Sequence, residues 1–149
     1  MKNVSPIGIF DSGLVGLSVL DQISLLLPSD NLFYVAASKF APYGPKSAEE
    51  IRARAFKIMN FLMTNHDIKL MVVACNTATA ACIKEMREKY TIPIVGMEPA
   101  VKPAIRASKE KRIGILATEG TLKSAKFSAL LEHHDGEYHF YTQPCIGLV

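Results

Sequence analysis

Short apolar runs alternate along the chain with longer segments of helical periodicity. Ile7 to Phe10 reads as a strand ending at Asp11-Ser12-Gly13, and an apolar-periodic helix follows to about Leu27, where Pro28-Ser29-Asp30 stops it. Leu32 to Ala36 is a second strand. Ser47-Ala-Glu-Glu50 has the form of a capping box, with a serine hydroxyl and a glutamate three residues on, and opens a helix to about Asn65. Leu70 to Ala74 predicts a third strand, Thr77 to Tyr90 a helix and Ile92 to Val95 a fourth strand. Strands separated by helices imply right-handed crossovers. The expected fold class is therefore α/β, a parallel sheet with helices on both faces.

A second, similar unit follows. Ile7-Gly-Ile-Phe-Asp-Ser-Gly and Ile113-Gly-Ile-Leu-Ala-Thr-Glu-Gly each run an Ile-Gly-Ile strand into a turn of Ser or Thr with Gly, at an offset of about 106 residues. Glu98 to Ser108 predicts a connecting helix. The expected division is 1–97 for a complete or nearly complete first domain, 98–110 for the connector and 111–149 for a partial second domain. That second unit holds a strand at Ile113 to Leu116, one helix to about His133 and a strand at Tyr138 to Tyr141. It reads as truncated.

Composition narrows the class. With 149 residues, 49% hydrophobic and 21% charged, the chain can bury a real core and is not disordered. The net charge of +3 comes from Lys and Arg spread among Glu, as in Lys84-Glu85-Met86-Arg87-Glu88-Lys89, so no basic stripe marks a nucleic-acid partner. There is no apolar run long enough to cross a bilayer and no signal-type start, which predicts a cytoplasmic protein without a membrane partner. Three cysteines, Cys75, Cys82 and Cys145, form no CxxC pair. Reduced thiols fit better than disulfides or structural zinc. No metal-ligand spacing and no phosphate-loop pattern occurs, so neither a metal nor a cofactor is expected.

Candidate chemistry gathers at strand ends. In parallel sheets ligands bind beyond the carboxyl ends of the strands, and Asp11-Ser12-Gly13, Pro42-Tyr43-Gly44 and Cys75-Asn76-Thr77 each follow one. Three loops thus converge on a crevice. Cys75 lies at the start of a predicted helix, where backbone N–H groups and the helix dipole favour a thiolate able to take a proton near neutral pH. The amides at Asn76-Thr77 form a cradle for a carboxylate. Cys82, seven residues on, reads as a small core residue, and Cys145 falls after the second unit's last strand.

Taken together, Gly8-Ile-Phe-Asp-Ser-Gly13, Gly16-Leu-Ser18, Pro42-Tyr-Gly44, Val73-Ala-Cys-Asn-Thr-Ala78, Glu98-Pro-Ala100 and Gly114-Ile-Leu-Ala-Thr118 with Gly120-Thr121 resemble glutamate racemase, over nearly the whole chain and in order. The resemblance implies cofactor-independent interconversion of L- and D-glutamate for peptidoglycan precursor synthesis. In that family two α/β domains each bring one cysteine to opposite faces of the substrate. Inversion requires acid and base on opposite sides. By the same resemblance Cys75 is the first cysteine and Asp11 assists it, while Ser12, Tyr43, Gly44, Asn76, Thr77, Thr118 and Thr121 contact the amino acid.

Departures from the family are equally specific. Val15 replaces a glycine, which predicts a first loop less free to adopt positive φ. Ala37 replaces an aspartate before the Pro-Tyr-Gly loop. The counterpart of Cys75 would fall at about position 181, beyond these 149 residues, so this chain alone is expected to be incomplete for catalysis. Exposed edges left by the partial second unit predict self-association into a homo-oligomer. Two other readings stand beside the racemase. One is a non-catalytic amino-acid-binding remnant. The other is an unrelated thiol hydrolase or regulatory domain, which wants a histidine beside Cys75, whereas His66, His133, His134 and His139 all lie elsewhere in the sequence.

Overall fold

A computed structural model describes residues 4–134 and 136–145. The first part of the chain forms β1 (Ile7–Asp11), α1 (Leu17–Leu26), β2 (Leu32–Ala36), α2 (Ala48–His66), β3 (Leu70–Val73), α3 (Asn76–Lys89) and β4 (Ile94–Gly96). All four strands are parallel, in the order β2-β1-β3-β4. β1 is therefore central, held on one edge by β2 and on the other by β3. All five of its residues are buried.

Helices cover both faces of this sheet. On one side the inner faces of α2 (Ile51, Ala55, Ile58, Met59, Leu62) and α3 (Ala78, Cys82, Ile83, Met86) pack with Phe10, Met71 and Val73. On the other, Val19, Leu20 and Ile23 of α1 meet Ile7, Ile9 and Val72. This second cover is thin, since α1 has no buried residue and leaves Leu25 and Leu26 exposed. The predicted capping box is present at α2, where Ser47 accepts from the Glu50 amide and the Glu50 carboxylate accepts from the Ser47 amide.

Beyond α4 (Val101–Ala107) comes β5 (Arg112–Ala117), then α5 (Glu119–Leu122), α6 (Ala125–Glu132) and β6 (His139–Pro144). β5 and β6 pair in parallel as a separate two-stranded sheet, packed on one side by Phe127 and Leu130 of α6 and Val101 of α4. The single helix expected between these strands is two. Ser124 caps α6 by accepting from the Phe127 amide, and its own hydroxyl donates to Thr121 O. A serine that bonds local backbone in this way competes with helix continuation.

Candidate active site

Asp11 and Cys75 sit at the carboxyl ends of the two buried strands β1 and β3, so the sheet places both side by side. β1 ends in Asp11, whose carboxylate accepts hydrogen bonds from the amides of Gly13 (3.1 Å) and Gly16 (3.0 Å) and so folds the following loop back on itself. Gly16 is required there, because a Cβ would lie 2.6 Å from the Asp11 Cβ. Next door β3 runs through Ala74, whose amide donates to Phe10 O at 2.8 Å, and delivers Cys75 as the N-cap of α3.

The Cys75 sulfur accepts from the Ala78 amide at 3.4 Å and its thiol donates to the Ser12 hydroxyl at 3.4 Å. Helix start and Asp11 loop thus meet on one atom. Burial pushes this thiol above its ordinary range; the Ser12 and Ala78 hydrogen bonds oppose that rise, and the nearby Asp11 charge adds to it. This corrects the expectation of a thiolate near neutral pH. Cys75 is only 7% exposed, and desolvation outweighs the favourable helix end. Its surroundings favour the thiol over the thiolate.

Tyr43 and Gly44 follow a cis Ala41-Pro42 bond and pack beside this centre. The Tyr43 ring is 2% exposed, its hydroxyl has no protein partner, and burial raises its pKa to about 12. An open groove of about 240 Å³ lies on its far side, among Phe40, Lys46 and Arg54, and does not reach Cys75. Asn76 is exposed at the first turn of α3. Thr77, behind it, is buried and joins the two sheets: its hydroxyl lies 3.0 Å from that of Thr118 and 3.3 Å from that of Thr121, which are themselves 2.9 Å apart. Gly44 belongs to the same junction, where a Cβ would come within 3.3 Å of Thr118.

The remaining sites resolve simply. Val15 is 83% exposed and is not among the residues with positive φ, so the loop takes a conformation that a valine accommodates. Ala37 lies in the main core, and its amide holds Asp11 O at 2.9 Å. Cys82 is buried on α3 and its thiol donates to Ala78 O, as a core cysteine does. Cys145 follows β6, with its thiol directed at Gln143 O. Sequence reasoning missed Tyr34, on β2, whose hydroxyl donates to Gly13 O at 3.0 Å; nothing in its spacing from the Asp11 loop signals the contact. Among the described residues no three His, Cys, Asp or Glu side chains are grouped to hold a metal ion, and no helix is long and apolar enough to cross a membrane.

A buried thiol at a helix start, bonded to a serine whose neighbour is a buried aspartate, stands at the carboxyl edge of a parallel sheet on an α/β scaffold. Residues 17–145 match the Asp/Glu/Hydantoin racemase family, and the chain belongs to that family. It is 53% identical over 146 residues to a glutamate racemase of Pseudomonas paraeruginosa, covering 97% of this chain and 55% of that protein. To that of Ectopseudomonas mendocina it is 56% identical over 149 residues, covering 99% and 56%. Among solved structures, Escherichia coli glutamate racemase in complex with L-glutamate and the activator UDP-MurNAc-Ala superposes with a TM-score of 0.87 at 36% identity, over 95% of this chain and 54% of that one. Glutamate racemase from Aquifex pyrophilus gives 0.85 at 32%, over 97% and 56%. The chain spans about half the length of the relatives it matches.

Proposed function

We propose that the protein carrying this chain interconverts the enantiomers of glutamate without a cofactor, with Cys75 exchanging the α-proton on one face of the substrate. The observation that supports this most directly is the Cys75 sulfur itself, held between the Ala78 amide and Ser12 with Asp11 beside it, in a chain more than half identical to glutamate racemases. Protonated at rest, Cys75 serves directly as the acid. For the reverse role the substrate's ammonium brings a positive charge that favours the thiolate. A thiolate formed beside Asp11 in a dry site is a strong base, which narrows the gap to the weakly acidic α-carbon.

The first-turn amides of α3 and the Asn76 side chain would receive a substrate carboxylate, and Ser12, the Tyr43-Gly44 loop, Thr77, Thr118 and Thr121 its remaining polar groups. On this reading the group serving the opposite face lies outside these 149 residues. The product supplies D-glutamate for peptidoglycan in the cytoplasm. Exposed Leu25, Leu26 and Leu116 support self-association of this chain, which a clean monomer in size-exclusion chromatography would contradict.

The test is proton NMR of D- and L-glutamate incubated separately with the chain in deuterated buffer. Loss of the α-proton signal from at least one enantiomer, abolished by Cys75→Ala, is the expected result. Saturable glutamate binding without exchange would favour the binding remnant instead. The absence of both binding and exchange would overturn the proposal.

A further inference from the structure

We infer that Tyr34 is a positioning residue for Cys75, acting through Ser12: its hydroxyl bond to the carbonyl of the next residue, Gly13, fixes the loop segment that contacts the thiol. This deepens the proton-transfer reading above and rests on it for its purpose, though not for its geometry.

The loop from Ser12 to Val15 has little packing of its own, since Leu14 and Val15 are both exposed. Its later residues are held by turn bonds from Leu17 and Ser18 to Leu14 O and Val15 O, and its Gly13 end by two side chains. Asp11 binds the Gly13 and Gly16 amides from inside the turn, and Tyr34 reaches across from β2 to donate to the Gly13 carbonyl at 3.0 Å. Asp11 therefore secures N–H groups, that of the Ser12–Gly13 peptide included, and Tyr34 secures the carbonyl of Gly13. The slot for the Tyr34 hydroxyl exists because position 16 is glycine, where a Cβ would stand 2.9 Å from that oxygen.

Ser12 is what this bracing delivers. The protonated thiol donates to the Ser12 hydroxyl, and on ionisation the same hydroxyl turns to donate to the sulfur, so Ser12 lowers the cost of the thiolate in a site where burial and Asp11 raise it. Without the Tyr34 hydroxyl the loop keeps its Asp11 bonds but gains freedom at Gly13. Ser12 then spends less time on the sulfur. Burial, with Asp11 and Cys75 adding to it, lifts the Tyr34 pKa to about 12, so the phenol remains a donor past the ordinary phenol value of 10.

The experiment follows alkylation of Cys75 by iodoacetamide from pH 6 to 11, resolved from Cys82 and Cys145 by peptide mass spectrometry. The midpoint of the rate profile reports thiol acidity, and its high-pH plateau reports access. Tyr34→Phe should move the midpoint up by about half a unit, about a threefold lower rate below the midpoint. Ser12→Ala should move it at least as far. The double variant should match Ser12→Ala alone, because Tyr34 acts through Ser12. An unchanged midpoint in Tyr34→Phe, even with lowered thermal stability, would reduce Tyr34 to a structural role and overturn the inference. Additive shifts in the double variant would overturn it equally. Since the readout involves no glutamate, an absence of α-proton exchange would defeat the racemase reading and leave this coupling to be judged separately.

Discussion

The four-stranded and two-stranded parts of the chain start from the same strand-turn-helix unit and end differently. In the first, β1 is flanked on both edges and covered on both faces, and its turn presents Asp11 and Ser12 to a thiol. In the second, β5 is paired on one edge and covered on one face, and its turn spends the Thr118 hydroxyl on capping α5 and on the neighbouring threonines. A recurring local sequence supplies a turn. Surrounding layers decide what that turn bonds.

The contrast can be broken most forcefully in the core. Leu62→Ala removes a fully buried side chain from the α2 face and should cost about 2 to 5 kcal/mol in chemical denaturation, with loss of the whole four-stranded part. A smaller loss would mean that the first sheet is no better consolidated than the second.

Alkaline pH offers the next largest effect. Burial raises the Cys82 pKa from 9.0 to about 12, and the Cys75 thiol also lies above its ordinary value. In the open chain these thiols lose their protons first, so each ionisation favours unfolding. The stability they hold is complete below about pH 9 and drains away as the pH climbs toward 12. Unfolding at pH 10.5 should therefore need less denaturant than at pH 7.5 by a few kcal/mol, and Cys82→Ala should remove a large share of that difference.

At the junction the expected change is smaller. Thr77→Val leaves Thr118 and Thr121 bonded to each other and should cost about 1 kcal/mol. Hydrogen exchange would then show faster opening of β5 and β6 with β1 and β3 unchanged; equal acceleration of all four strands would show the two parts to be one cooperative unit. Least of all, Leu116→Ser, at a side chain 69% exposed, should alter stability by under about 0.5 kcal/mol.

Local features of the sequence were legible. The apolar runs at Ile7, Leu32 and Leu70 become strands because nothing polar interrupts them, and Ser47 with Glu50 announces the start of α2. Cys75 at the head of α3 was legible too, from the turn chemistry behind it. What escaped depends on distance along the chain. The acidity of Cys75 is set by layers of α2 and α3 that no motif at 75–77 encodes, and the Thr77 contacts span 41 and 44 residues. Tyr34 reaches Gly13 across 21 residues because β1 and β2 are neighbours in register, with Asp11 opposite Ala36. The second cap at Ser124 was local and readable in principle, but a serine within an apolar-periodic stretch passes for a tolerated helix residue.

The protonated state of Cys75 has a consequence for the lifetime of the protein as well as for its chemistry. Peroxides attack thiolates far faster than thiols, and each step up the sulfur oxidation ladder would destroy the acid–base group. On the role proposed for Cys75, a sulfur kept buried and held toward the thiol meets oxidants in its less reactive form, except when a substrate's charge favours the thiolate. The layers that raise the Cys75 pKa thus also shield it against oxidants.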